Sequence, residues 1–319
     1  MKAVVLDTDD RLHLTDLDEP TPGPGQVAIA VAYAGIQYGD VLVRNGHFDL
    51  PRPFVPGFEA AGRIIAVGDG VDQARIGEQV TALTSAGAYA EVVLASAELA
   101  FEATGIDPRI AAGFGWATPT AYDLINTVAR VQPGEHVLIH AAAGGVGTLA
   151  AQFARAAGAG AVVGVAGDTD RAGYAARFGF DQVLVREEFP DALGGRQFDA
   201  ILDPIGGPTR HANLERLAPH GRLAVYGNIA TFEPVQVSAN DLLMQGKSLL
   251  TYNSNLLSQT HPGRLADSAR RALRLVADGR IHIDITAEYE PADLDTAIQR
   301  LANGATRGRS ILRVAPVAG

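Results

Sequence analysis

The sequence predicts an α/β protein with two domains, a small strand-rich barrel and a doubly wound parallel sheet. Three observations lead there. The first hundred residues are short strand-like runs cut by glycine and proline. From His136 onward, apolar strands alternate with helical stretches. The last sixty residues return to isolated amphipathic helices and a closing strand. At 319 residues the chain has room for two domains of ordinary size. There is no internal repeat or low-complexity run.

In the barrel, Lys2 to Leu6 reads as a strand and Leu12 to Leu17 alternates. Pro20, Pro22, Gly23, Pro24 and Gly25 make a loop. Strands are expected at Val27 to Ala34, Ala60 to Val67, Gln79 to Leu83 and Tyr89 to Val93. Arg109 to Ala129 reads as helical, with a kink expected at Pro119.

The alternating part follows. Strands are expected at His136 to His140, Ala161 to Val165, Gln182 to Val185, Phe198 to Asp203 and Leu223 to Tyr226. Helices are expected at Thr148 to Ala157, Asp170 to Phe178 and His211 to Leu217. Amphipathic helices at Pro262 to Ala277 and Asp293 to Ala302 end at glycines, and Ser310 to Val314 is the last strand.

The strongest local signal is the apolar strand Val137-Leu138-Ile139-His140 running through Ala141-Ala142-Ala143 into Gly144, Gly145, Val146 and Gly147. Small residues let a backbone approach a pyrophosphate, and the helix that follows offers free N–H groups at its positive end. Ala142 replaces the usual first glycine, so the strand–turn–helix context carries the reading. The second strand ends Val165-Ala166-Gly167-Asp168. Ala166 occupies the place where an acid would bond a ribose 2′-hydroxyl. Its absence admits a 2′-phosphate, and Arg171 stands nearby to pair with one. Asp168 reads as the cap of the next helix. The cofactor expected is therefore NADP(H).

Composition excludes other classes. A net charge of −10 and a pI near 5.2 disfavour nucleic acid and anionic membrane surfaces. The chain has no cysteine, which excludes disulfides, thiolate nucleophiles and Cys-ligated metal centres. The N-terminal run is too short for a signal peptide, and Val137 to Val165 is interrupted by His140, Gln152 and Arg155. A cytoplasmic protein is expected.

The chain resembles the medium-chain dehydrogenase/reductases, in their zinc-free quinone oxidoreductase (zeta-crystallin-like) branch. The resemblance rests on residues 34–40 (AGIQYGD), 56–62 (PGFEAAG), Thr120-Ala121-Tyr122, the glycine turn, 198–207 (FDAILDPIGG), Gly221-Arg222-Leu223 and 304–310 (GATRGRS). It implies a GroES-like β-barrel catalytic domain formed by 1–118 and 256–319, and a Rossmann domain over 119–255. A homodimer is implied as well. The cysteine–histidine–cysteine ligands of zinc-dependent relatives fall on Gln37, Phe58 and Trp116. Phenylalanine and tryptophan have no lone pair for zinc and glutamine is a poor ligand, so metal-assisted alcohol oxidation is not expected.

The resemblance also assigns site residues. Gln37, Tyr38 and Asp40 stand where quinone reductases often carry Asn-Phe-x-x-Asp, with the Gln37 amide and Tyr38 hydroxyl able to donate to an acceptor oxygen. Asp40 suits an ordering role better than an acid's, and Glu59 reads as structural. Thr120 is expected against the nicotinamide, and Gly227, Asn228, Tyr252 and Asn253 along the cofactor groove. Arg309 is expected at the 2′-phosphate, where many relatives use lysine. Phe48 lies where enoyl-thioester reductases have a proton-donating tyrosine, and His47 is the neighbouring candidate acid. His140 reads as a buried core residue.

The activity implied is hydride transfer from NADPH to a quinone or related conjugated carbonyl compound, without a metal. The alternatives are an NADPH-dependent enone or enoyl reductase, and a zeta-crystallin-like protein that holds NADPH with little turnover. In each case the partner is a small molecule.

Overall fold

In the computed structural model, residues 1–48 and 50–314 are described. The elements in chain order are β1 (Lys2–Leu6), β2 (Leu12–Asp16), β3 (Gln26–Ile36), α1 (Tyr38–Arg44), β4 (Glu59–Val67), β5 (Gln79–Leu83), β6 (Val92–Ser96) and β7 (Ala100–Glu102). Then come α2 (Pro108–Phe114), α3 (Ala117–Asp123), β8 (His136–His140), α4 (Gly145–Ala156), β9 (Ala161–Ala166), α5 (Thr169–Ala175), β10 (Gln182–Val185), β11 (Phe198–Asp203) and α6 (Pro208–Glu215). β12 (Leu217–Val225), α7 (Ala239–Gln245), β13 (Ser248–Thr251), α8 (Ser254–Thr260), α9 (Pro262–Ala277), β14 (Ile285–Tyr289), α10 (Leu294–Ala302) and β15 (Arg309–Arg313) complete the chain. They form two compact units, residues 1–119 with 260–319, and residues 120–259.

In the first unit a seven-stranded sheet has the order β14-β15-β3-β4-β5-β7, with β6 also paired to β3. Among the described residues only β14 and β15 run parallel within it. Val27, Ile29 and Val31 alternate along β3 and join Ile64, Val80 and Leu312 in the core. The β1–β2 hairpin stands as a separate pair.

The second unit is a parallel sheet of six strands in the order β10-β9-β8-β11-β12-β13. Its inner strands β8, β9 and β11 are mostly apolar and buried, as both faces of such a sheet are covered. Leu138, Val163, Val165, Ile201 and Leu223 form its core. Among the described residues no helix is long and apolar enough to cross a membrane.

Three sequence expectations shift. The break in the 109–129 helix falls at Gly115 and Trp116, not at Pro119. Pro119 lies in the first turn of α3, where its missing N–H is no loss. The strand expected at Tyr89 to Val93 begins at Val92, because Tyr89 is taken up by a backbone bond to Pro56. Leu217 opens a strand instead of closing a helix. The short elements α1, β7, α7, β13, α8 and β14 gave no periodic signal.

Candidate functional site

Parallel strands bring all their carboxyl ends to one edge of the second unit's sheet. Strand order reverses between β8 and β11, and such a reversal opens a crevice for a ligand at that edge. Ala141, immediately after β8, has a φ of 51°, and the Ala142 N–H bonds Val165 O at 3.0 Å on β9. The chain is thereby turned sharply into α4. A Cβ on Gly147 would overlap the Ala141 carbonyl oxygen and come within 2.9 Å of Ala142 Cα. Only glycine permits this packing. The N-cap of α4 is Gly144, which has no capping side chain. The first-turn N–H groups, at Gly145, Val146 and Gly147, therefore have no intrahelical acceptor. That arrangement fits a pyrophosphate.

The next strand end fits a 2′-phosphate. Asp168 caps α5 through the Arg171 N–H at 2.8 Å and holds the Arg171 guanidinium at 3.2 Å. The acid thus orients Arg171. A Cβ built on Gly167 would lie 2.7 Å from Arg171 Nη1 and 2.9 Å from Arg186 Nη2. Two guanidinium groups therefore converge on one small residue. Arg186 escaped the sequence reading. It follows Val185, which pairs in register with Ala166, so its position depends on β10 lying beside β9.

On the other side of the crevice, Asp203 is fully buried at the end of β11. Its carboxylate accepts from the Ile205 and Gly206 N–H groups at 2.7 and 3.1 Å and pairs with Arg210 Nε at 3.0 Å. Arg210 donates through Nη2 to Gly227 O at 2.9 Å and to Asn228 Oδ1 at 3.2 Å. This clamp ties the two expected groove residues to the loop after β11 and fixes the orientation of the Asn228 amide.

Tyr252 follows β13 and donates to Asp123 Oδ2 at 2.8 Å. Burial, with Asp123 adjoining, pushes the phenol far above its usual range and keeps it protonated. Asn253 Oδ1 accepts from the Leu256 N–H at 3.0 Å and so caps α8. His140 is buried, 2.7 Å from Asn213 Oδ1 and edge-on to Phe189. Burial lowers its pKa, so it is a neutral core residue.

In the first unit Gln37, Tyr38 and Asp40 lie together at the start of α1. The Gln37 N–H donates to Asp40 Oδ2 at 2.9 Å, a helix-capping bond. Burial pushes the Asp40 carboxyl up to about 7, with Tyr89 and Arg309 opposing. Burial also raises Tyr38, which preserves its hydroxyl as a donor. His47 and Phe48 are exposed in the turn after α1.

Arg309 is found elsewhere than expected. It is buried and ion-paired with Glu59, and its Nε bonds Gly113 O at 2.9 Å. A guanidinium committed inside this unit is not a partner for a 2′-phosphate. The other Glu59 oxygen accepts from the Trp116 N–H at 2.6 Å. Side chains on Gly35 or Gly115 would overlap that carboxylate, so both glycines are needed to admit it. The Trp116 indole donates to Phe58 O at 2.7 Å. Two of the three positions that match zinc ligands are thus bound to each other by a hydrogen bond.

Comparison with known proteins agrees with this geometry. Residues 23–105 match the alcohol dehydrogenase GroES-like domain and residues 145–271 the zinc-binding dehydrogenase domain. A probable quinone oxidoreductase of Schizosaccharomyces pombe is 34% identical over 223 residues, which is 68% of each chain. A 2-haloacrylate reductase of Burkholderia is 29% identical over 92% of each. The Escherichia coli quinone oxidoreductase, solved in complex with NADPH, superposes with a TM-score of 0.88 at 26% identity, covering 98% of this chain and all of that one. A mycocerosic acid synthase-like polyketide synthase of Mycolicibacterium smegmatis is 30% identical over 98% of this chain. The chain spans 15% of that synthase's length.

Proposed function

The chain belongs to the medium-chain dehydrogenase/reductase family, in its quinone oxidoreductase branch, and on that premise we propose that it is an NADPH-dependent reductase of quinones. One observation carries the choice of cofactor: two guanidinium groups, from Arg171 and Arg186, flank a residue that has no side chain to obstruct a phosphate. When bound, NADPH supplies a hydride that, with one proton, converts a quinone to a hydroquinone.

The residues have distinct tasks in this reading. Gly144, Gly145, Val146 and Gly147 hold the pyrophosphate, and Gly167, Arg171 and Arg186 hold the 2′-phosphate. Gly227, Asn228, Tyr252, Asn253 and Thr120 line the groove. Gln37 and Tyr38 donate hydrogen bonds to the acceptor oxygen, where negative charge grows. Asp40 orders the turn that carries them. With Phe58 and Trp116 in place of ligands, the site polarises the acceptor by hydrogen bonds, and a quinone, which aromatises on reduction, needs little more.

The likeness to a 2-haloacrylate reductase favours a second reading, reduction of a conjugated carbon–carbon double bond. NADPH oxidation is to be followed with a panel of quinones beside a panel of enones and enoyl thioesters. Faster turnover of quinones supports the first reading and faster turnover of enones the second. Tight NADPH binding without turnover of either would leave a binding protein.

A cytoplasmic homodimer completes the proposal. The edge strand β13 is flanked in sequence by α7 and α8, where Leu243, Met244 and Leu256 are exposed, an arrangement that suits pairing with a second copy. Light scattering at the mass of one chain would contradict it.

A further inference from the structure

Gly39 lies in the first turn of α1, between Tyr38 and Asp40. A glycine inside a helix costs conformational entropy that alanine would spare. The backbone gives no reason for one here, since Gly39 is not among the residues with positive φ. The reason lies two residues back. A Cβ on Gly39 would stand 3.1 Å from Gln37 Nε2, 3.2 Å from its Cδ and 3.3 Å from its Oε1, and nothing beyond the adjoining residues would be nearer. Carbon contacts are normally about 3.5–4.0 Å, so a methyl group there would push the amide aside.

The three distances also give the orientation. Near-equal separations from nitrogen, carbon and oxygen put the point over the flat face of the amide. An approach in the amide plane would set the carbon apart from the other two. The Gln37 amide therefore lies flat on the turn, and its N–H and C=O edges stay clear of residue 39. The backbone of Gln37 is not free to yield instead. Its N–H donates to Asp40 Oδ2 at 2.9 Å, and its carbonyl accepts from the Asp40 N–H at 3.0 Å. Asp40 is itself buried. Crowding at residue 39 would thus turn the side-chain torsions of Gln37 and swing its amide.

We propose that Gly39 is a positioning residue: having no side chain, it seats the Gln37 amide flat on α1 and so sets the direction in which its N–H edge meets the acceptor oxygen. The inference rests on the reading above that this amide donates to the acceptor, and adds the residue that fixes its orientation. Gly39 acts through Gln37 alone. Glutamine is one methylene longer than asparagine, and lying back over bare backbone takes up that length.

The test follows NADPH oxidation with 1,4-naphthoquinone as the acceptor. In Gly39→Ala, kcat should fall about tenfold while KM for the quinone moves less than about twofold, because the bond strengthens only as charge grows on the oxygen. NADPH affinity by calorimetry should be unchanged. The urea midpoint should hold or rise, since alanine is the better helix former. A merely structural role would lower it. In the Gln37→Asn background the shorter amide does not reach over residue 39, so adding Gly39→Ala should change kcat by less than about twofold. A kcat unaffected by Gly39→Ala, or an equal loss in both backgrounds, overturns the proposal while the quinone reading stands. Should Gly39→Ala alone fail to fold, the Gln37→Asn background decides: folding of the double variant upholds the contact with the amide, and its failure overturns it. A wild-type chain that binds NADPH but leaves the quinone unreduced overturns the quinone reading and the role built on it.

Discussion

Replacing Arg309 by methionine should destabilise the first unit severely. Glu59 is wholly buried and Arg309 is 6% exposed, so neither charge has water to fall back on. Removing one member of such a pair costs about 3–5 kcal/mol, because the other is left charged in an apolar setting. With a urea slope of about 2 kcal/mol/M, the unfolding midpoint should fall by roughly 1.5–2.5 M. The double variant Glu59→Gln/Arg309→Met removes both charges and keeps an amide oxygen for the Trp116 N–H. It should recover most of the loss, leaving about 1–2 kcal/mol for the missing hydrogen bonds. The chain has one tryptophan, Trp116, and its backbone N–H bonds Glu59 directly. Its fluorescence during urea titration therefore reports on this unit alone. The reasoning also requires that Arg309→Met leave the ratio of NADPH to NADH affinity unchanged. A midpoint that stays put, a double variant as weak as the single one, or a collapsed dinucleotide preference would each refute it.

Other expectations follow from the same geometry. Arg171→Gln and Arg186→Gln should each lower the NADPH-over-NADH preference by about 10- to 100-fold, the worth of one charge-assisted contact, measured by calorimetry with both dinucleotides. Gly147→Val should abolish dinucleotide binding, read by fluorescence titration, since even a Cβ would overlap the Ala141 carbonyl oxygen. Arg210→Met should weaken NADPH binding about tenfold, read by the same titration, by freeing Gly227 and Asn228 from their clamp. Asp40 gives a pH test. Its carboxyl is raised by burial from 3.8 to about 7, so the folded chain holds a proton that the unfolded chain has released between those values. That stabilisation is complete below the unfolded pKa and is lost as pH rises through about 7. The full difference is of the order of 4 kcal/mol. Asp40→Asn should therefore flatten the fall in urea midpoint between pH 5 and pH 8.

How much of this was legible in the chain depends on sequence distance. The glycine turn could be read because strand, turn and helix are contiguous, and backbone conformation there is decided within a dozen residues. The cap formed by Asp168 on α5 was legible for the same reason. Elements with a long apolar period, such as α9, declared themselves, whereas four-residue β13 takes its conformation from β12 beside it and carries no pattern of its own.

Side chains that act in pairs were not legible, because a partner's identity is set by register and strand order. Arg186 is one of many arginines until β10 is laid against β9, when Val185 falls opposite Ala166 and the next residue must lie beside Gly167. Arg309 shows the converse. The resemblance put it at a 2′-phosphate, yet β15 pairs with β3 so that Ser310 faces Ile36. That register delivers the preceding arginine to Glu59, 250 residues away in sequence. A clue lay in composition: Gly35 and Gly115 leave room that a buried carboxylate can fill, and a carboxylate so enclosed demands a cation. Asp123 and Tyr252, 129 residues apart, offered no such clue. Asp123 looks like an ordinary polar residue beside an apolar run, the resemblance names Tyr252 only for the groove, and only the folded sheet, with β13 ending just before Tyr252, makes the acid and the phenol neighbours.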